Sequence, residues 1–219
     1  MQYKILIPAR GGSKRIPRKN IIDLNGKPLI SYAIEQALEL TEDVYVSTDD
    51  NEIAKVSEKY GARVITRPPE ISGDLAKTEE VIHHFLNNEE TEVLVLLQAT
   101  CPLIKSDYIL RGLKLLHQFD SVVSVSKEVG FYWSKEGAPI NFTPGKKPRT
   151  QDATPWYKEN GSFYITRKEF FKKTGLLVGG KVGLIEMPQT QSIDIDTHEE
   201  LFLAELIIQN HTFRNKKND

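Results

Sequence analysis

Val93, Leu94, Val95, Leu96 and Leu97 form an unbroken apolar run. A strand with one face in water alternates apolar and polar side chains, so an unbroken run predicts a strand covered on both faces. That arrangement belongs to a mostly parallel sheet with helices on either side, and the rest of the chain agrees with it. Short apolar or β-branched runs predict strands at 3–8, 44–47, 63–66, 92–97, 121–125, 162–165 and 182–186. Amphipathic stretches predict helices at 29–40, 52–60, 78–87, 108–117 and 198–209. In the first of these, Ile30, Ala33, Ile34, Ala37 and Leu38 recur at helical spacing. Asp50 and Ser106 are expected as N-caps and Gly61 as a C-cap. Strands alternating with helices predict an α/β fold of three layers, α/β/α.

The alternation fails between Val129 and Tyr157, which hold Pro139, Pro144, Gly145, Pro148 and Pro155 and both tryptophans, Trp133 and Trp156. Residues 1–128 and 161–211 are therefore expected to form the α/β domain. Residues 129–160 form an excursion, read as an interface because it is short of regular structure with which to bury two tryptophans. Residues 212–219 are expected to fray. A formal net charge of -1 offers no reason to expect nucleic acid or a membrane surface as partner. The single cysteine, Cys101, forms no intrachain disulfide, and no apolar run approaches the ~20 residues of a bilayer span. The N-terminus has no signal-peptide stretch, so a cytoplasmic protein is expected.

Positive charge is concentrated after the first strand, in Arg10, Lys14, Arg15, Arg18 and Lys19. Gly11 and Gly12 let the backbone bend there and present N–H groups to an anion, and the cations balance a polyphosphate. The loop lies at the carboxyl end of a strand, where open α/β sheets bind ligands. It is neither a Walker A loop nor a Gly-x-Gly-x-x-Gly turn. The alternative is a solvated basic turn, less favoured given the strand before it and the cations that follow. Near the C-terminus, Asp194 and Asp196 alternate with Ile193 and Ile195, so both carboxylates can face one site and hold Mg²⁺ or Mn²⁺. Asp196 could instead cap the last helix. Asp49 and Asp50 are expected to cap and to shape the loop.

The ordered set of Ile7 to Lys14, Pro17 to Asn20, Gly26 to Leu29, Val46 to Asp50, Arg67-Pro68, Leu96 to Gln98, Pro148 to Gln151, Glu159 to Ile165 and Ser192 to Asp196 resembles the acylneuraminate cytidylyltransferase family, the CMP-sialic acid synthetases. The resemblance implies a nucleotide-diphospho-sugar-transferase-like fold with a small dimerisation excursion. It implies Mg²⁺-dependent transfer of CMP from CTP to a nine-carbon 2-keto acid sugar by a homodimer. Arg10, Gly11, Gly12, Ser13, Lys14, Lys19 and Asn20 would then grip phosphates, and Arg67, Ala76 and Thr78 the nucleoside. Gln98, Arg149, Gln151, Asn160 and Tyr164 would line the sugar pocket, and Asp194 and Asp196 would hold the metal. Arg10, Lys14, Lys19, Asp194 and Asp196 would carry catalysis. From the residues alone, Gln98 reads equally well as a strand-end polar group, Arg149 as an interface ion-pair residue and Tyr164 as a core aromatic.

Two departures from the family pattern are expected to matter. Ile104 replaces a basic residue, and Arg15 stands where many relatives carry glycine. A 3-deoxy-octulosonate or phosphorylated acceptor, and a non-catalytic nucleotide-binding role, are the alternative readings.

Overall fold

A computed structural model describes the backbone of residues 2–215 and the side chains of residues 2–210. The strands in chain order are β1 (Tyr3–Pro8), β2 (Asp23–Leu24), β3 (Lys27–Pro28), β4 (Val44–Thr48), β5 (Arg63–Thr66), β6 (Val93–Leu97), β7 (Ser121–Glu128), β8 (Trp156–Arg167) and β9 (Val182–Met187). The helices are α1 (Leu29–Leu38), α2 (Asn51–Lys59), α3 (Thr78–Asn88), α4 (Ser106–Leu115), α5 (Lys168–Thr174) and α6 (His198–Asn215). Seven strands join one sheet in the order β5-β4-β1-β6-β8-β7-β9. Its neighbours run parallel except at β8, which is antiparallel to both β6 and β7.

The side chains sort into the expected layers. Ile5, Ile7, Val93, Val95 and Leu97 pack under α1, α2 and α4, while Leu6, Leu94 and Leu96 pack against α3 and Phe171 of α5. Every residue of β6 is therefore buried, as the unbroken run requires. A third cluster joins Ile16, Leu24 and Leu29 to Ile195, Leu201 and Ala204, and it fastens the basic loop to the start of α6.

Asp50 caps α2, accepting from the amides of Glu52 and Ile53, and Gly61 follows that helix in the left-handed region at φ 95. Ser106 is not a cap: Lys105 holds that position, and the Ser106 hydroxyl donates to Glu39 instead. The β2–β3 hairpin and α5 add to the predicted elements. Helix α6 runs on to Asn215, so residues 212–215 of the expected tail are helical in backbone, and residues 216–219 lie outside the described residues. No helix among the described residues is long and apolar enough to cross a membrane.

Strand β8 begins at Trp156, so residues 156–160 belong to the sheet and the excursion shortens to 129–155. Within it, Trp133 bridges to Pro139, and Phe142 meets both Phe131 and Trp133 edge-on. Trp133 remains 55% exposed and Trp156 47%, so the chain does not bury its tryptophans by itself.

Between Val123 and Val125 the pairing of β7 with β8 slips: Val123 faces Tyr164 but Val125 faces Glu159. The surplus residues of β8 bulge, with Gly161 at φ 73. Ser124 secures the bulge, donating to Asn160 Oδ1 at 2.7 Å and accepting from the Phe163 amide at 2.9 Å. Bulges re-aim side chains next to sites, and this one turns Asn160 and Gly161 toward Asp194.

Candidate active site

The basic loop leaves β1 at its carboxyl end and is pinned at both flanks by the two residues after β4. The Gly11 amide donates to Asp49 Oδ1 at 2.9 Å. A Cβ on Gly11 would stand 2.8 Å from Asp50 Oδ2, so glycine is needed for this close approach. At the other flank Arg18 adopts a left-handed φ of 58, and its guanidinium is held by Asp50 at 2.7 Å and by Glu52. Burial pushes the Asp50 carboxyl up, but the Ile53 amide and Arg18 outweigh it and hold the group below its ordinary value. Asn20 is buried and donates to the Arg10 carbonyl at 2.9 Å, which closes the loop on itself.

This loop walls a cleft of about 410 Å³ with Arg10, Ser13, Lys14, Lys19, Asn20, Arg67, Ala76, Thr78 and Gln98 in its lining. The sequence-predicted nucleotide residues are thus brought together, with Gly11 and Gly12 supplying loop backbone. Arg67 is buried and donates to the Ser47 carbonyl at 2.7 Å and the Ser47 hydroxyl at 3.2 Å. Burial lowers its pKa. Arg10 and Lys14 both pair with Asp74, at 2.9 and 2.5 Å. The Lys14 hydrogen bond, followed by that of Arg10, holds the Asp74 carboxyl below its usual range.

A second cavity of about 560 Å³ lies beyond, lined by Ser126, Lys158, Glu159, Asn160, Tyr164, Ser192, Asp194 and Glu200 among others. Asp196 lines both cavities and so marks their junction. Its two oxygens are taken by cations, Lys19 at 2.7 Å and Arg15 at 2.6 Å. The Lys19 hydrogen bond is the main reason its pKa is low. Asp194 differs: burial raises its pKa against the opposing pull of a Thr100 hydrogen bond, and its Oδ1 is buried without a hydrogen-bond partner. A Cβ on Gly161 would come 3.3 Å from Asp194 Oδ2, so the bulge makes room for this carboxylate. Ile195 is fully buried and its amide donates to the Thr100 carbonyl, which fixes the segment so that both aspartates face the cavity.

Asp196 does not cap α6. Thr197 does, through reciprocal bonds with Glu200: the Thr197 amide donates to Glu200 Oε2 at 2.8 Å and the Glu200 amide to Thr197 Oγ1 at 3.3 Å. Asp196 is thereby left to the site. Among the described residues no group of three or more His, Cys, Asp or Glu surrounds a metal position. The unpartnered oxygen of Asp194 and the neighbouring Asp196 still suit Mg²⁺, which binds through one or two carboxylates plus phosphate oxygens and water.

Tyr164 is not a plain core aromatic: its hydroxyl donates to Glu159 at 2.5 Å, and burial, then Glu159, pushes its pKa up. A third hollow of about 310 Å³ lies between Gln98, Tyr164 and Thr78 on one side and Leu176, Leu177 and Val178 on the other. Arg149 and Gln151 are not brought in. Both are exposed, Gln151 in the turn Thr150–Asp152 and Arg149 just before it, where Arg149 pairs with Asp152 at 2.6 Å, and neither lines a cavity described above. Asp74, Ser124 and Thr100 belong to the site or its support without having been singled out. Asp74 sits in a loop with no pattern to mark it.

The sequence model of the family described as Cytidylyltransferase matches residues 4–218. N-acylneuraminate cytidylyltransferase A of Danio rerio is 39% identical, over 91% of this chain and 49% of its own length. N-acylneuraminate cytidylyltransferase of Streptococcus agalactiae serotype V is 34% identical, over 89% and 50%. The chain thus spans about half the length of these curated relatives. It matches 98% of the pseudaminic acid cytidylyltransferase of Campylobacter jejuni serotype O:2, with 33% identity over 96% of this chain. In fold it is similar to a CMP:2-keto-3-deoxy-manno-octonic acid synthetase solved with CTP, at TM-score 0.73 and 19% identity over 96% of this chain and 100% of that one. A match across nearly the whole chain, with relatives above 30% identity, identifies the sequence as a member of the cytidylyltransferase family.

Proposed function

We propose that this protein transfers CMP from CTP to an acidic nine-carbon 2-keto sugar, releasing pyrophosphate. The observation that carries the reading is the ion pair of Lys19 with Asp196, which sits where the nucleotide-sized cleft meets the second cavity. The names of the relatives, N-acylneuraminate and pseudaminic acid cytidylyltransferases, support CTP and a sialic-acid-like acceptor.

Arg10, Ser13, Lys14, Lys19 and the loop amides hold the β- and γ-phosphates, and Arg67, Ala76 and Thr78 position the nucleoside. The acceptor occupies the second cavity, against Asn160 and Tyr164, with Gln98 facing it from the first cleft. Its anomeric oxygen attacks the α-phosphorus in line. A bond forms from that oxygen to phosphorus, the α–β bridging bond breaks, pyrophosphate leaves with the electron pair, and the hydroxyl proton passes to solvent. The chain contributes mainly by positioning and by charge placed in advance around the phosphates. Asp194 and Asp196 would hold Mg²⁺ or Mn²⁺, which neutralises phosphate charge when bound.

The excursion is assigned to homodimerisation and to completion of the sugar site, which would give Arg149 and Gln151 their roles. Half-exposed Trp133 and Ile140 within it, and Trp156 and Tyr157 at the adjoining start of β8, support that assignment. A cytoplasmic location suits an enzyme that draws on CTP. The test is pyrophosphate release from CTP with Mg²⁺ across neuraminic, legionaminic, pseudaminic and 3-deoxy-octulosonic acids. Release with a nine-carbon acid is expected. CTP binding by calorimetry without turnover of any acidic keto-sugar would sink the proposal in favour of a nucleotide-binding role.

A further inference from the structure

Asp196 has two cations on it, and they are held very differently. Lys19 on Oδ1 is packed into the cavity wall, with its side chain 14% exposed. Arg15 on Oδ2 is 67% exposed and reaches in from the loop. The neighbouring carboxylate has the opposite condition, since Asp194 Oδ1 is buried and unpartnered. A divalent ion shared by the two aspartates needs an oxygen from each. The Asp196 oxygen not used by Lys19 is the one that Arg15 covers. Arg15 also lines the first cleft beside Arg10, Ser13 and Lys14, where a triphosphate would offer its guanidinium a two-point partner of higher charge.

We propose that Arg15 is a displaceable counter-ion: in the free protein it closes Asp196 to divalent metal, and an incoming triphosphate draws it away and opens the carboxylate. The inference rests on reading Asp194 and Asp196 as the metal pair. It makes metal binding depend on nucleotide, so that the free protein binds metal weakly and the nucleotide complex binds it well. The ion pair is exposed enough for this exchange to be cheap, whereas Lys19, held in the wall, stays to orient Asp196.

The experiment is direct titration of Mn²⁺, read by electron paramagnetic resonance of the free ion, against the full chain without nucleotide. Arg15→Gln and Arg15→Gly should each bind Mn²⁺ tighter than wild type by about fivefold or more, the scale of one unit charge removed at contact distance in water. Agreement between the two variants separates loss of charge from added loop flexibility. Adding Asp194→Asn to Arg15→Gln should abolish the gain. With a saturating non-hydrolysable CTP analogue, wild type and the Arg15 variants should converge. Equal affinities without nucleotide, a gain that survives Asp194→Asn, or a gap that persists with the analogue would each overturn the proposal. The turnover assay stays independent: a protein that releases pyrophosphate but whose Arg15→Gln form binds Mn²⁺ as wild type does keeps its reaction and loses this role for Arg15.

Discussion

Replacing Asp50 separates two jobs that one carboxylate performs. Its Oδ1 accepts from the amides of Glu52 and Ile53 at 2.9 and 3.0 Å, and its Oδ2 accepts from Arg18 Nη1 at 2.7 Å. Asp50→Asn keeps the cap, because asparagine caps as well as aspartate, and loses only the charge on Arg18. The side chains of that pair are 43% and 18% exposed, so its loss should cost about 0.5–1 kcal/mol. Asp50→Ala removes the cap as well, for a further ~1 kcal/mol. A chain of this size loses roughly 2–4 °C of Tm per kcal/mol, so the alanine variant should melt about 3–8 °C low and the asparagine variant nearer 2 °C low. Both loosen the Arg18 flank of the loop, which keeps Glu52 but loses one of the two carboxylates that offset a left-handed backbone costing about 1–2 kcal/mol. Ordering that flank anew on each binding event should raise KM for CTP by roughly two- to tenfold. Because the Asp50 pKa is held below its ordinary value of 3.8, the stability it contributes is present above that pH and lost as pH falls through the lowered value. The gap between wild type and Asp50→Asn should therefore persist at mildly acid pH and close only in stronger acid. Urea melts across pH with steady-state CTP kinetics provide the measurements. An alanine variant as stable as the asparagine one, or a wild-type KM in both, would refute the reasoning.

Asp74 neutralises Arg10 and Lys14 from an exposed loop, so Asp74→Asn should lower KM for CTP by about two- to fivefold, an effect that fades in high salt. A rise in KM would show that Asp74 instead helps bind the nucleotide. Gly161→Ala forces a side chain into φ 73 and against Asp194, so it should cost about 1–2 kcal/mol in a chemical melt. Its loss of turnover should exceed its loss of CTP affinity, because Asp194 is displaced while the nucleotide cleft is not. Thr197→Ala should cost about 1 kcal/mol by breaking the cap of α6 and leave turnover near wild type. Asp196→Asn should do the reverse, and equal effects of the two on stability would restore Asp196 as a cap.

Features written in a few neighbouring residues were legible in the sequence. The run Val93 to Leu97 announced a strand buried on both faces, and Asp50 announced a cap because its partners lie two and three residues on. The alternation of Asp194 and Asp196 with two isoleucines announced one acidic face, since burial of Ile195 needs no distant information. Strand β8 starts earlier than its sequence suggests because residues 156–159 are exposed and carry no apolar pattern. Ser106 is the first residue inside α4 rather than its cap, and its hydroxyl donates to Glu39, 67 residues away. The bulge at Gly161 depends on the register between two strands, and the pairing of Lys19 with Asp196 spans 177 residues.

The basic loop shows what such distant pairings add. Five cations within ten residues would repel one another, and a loop this crowded needs anions to hold one shape. Each of the five has one. Arg10 and Lys14 share Asp74, Arg15 and Lys19 share Asp196, and Arg18 has Asp50 and Glu52. Charge matching alone does not separate grip from scaffold, because every pair satisfies it. Position does. Arg18 is absent from the cleft lining and is tied to a residue that also caps a helix, so trading its partner would cost structure. The other four line the cleft, where a triphosphate could take Arg10 and Lys14 from Asp74 and Arg15 from Asp196 without disturbing a secondary-structure end, while Lys19 stays on Asp196. A sequence shows five equivalent charges. The fold divides them into one that builds the loop and four that face the cleft.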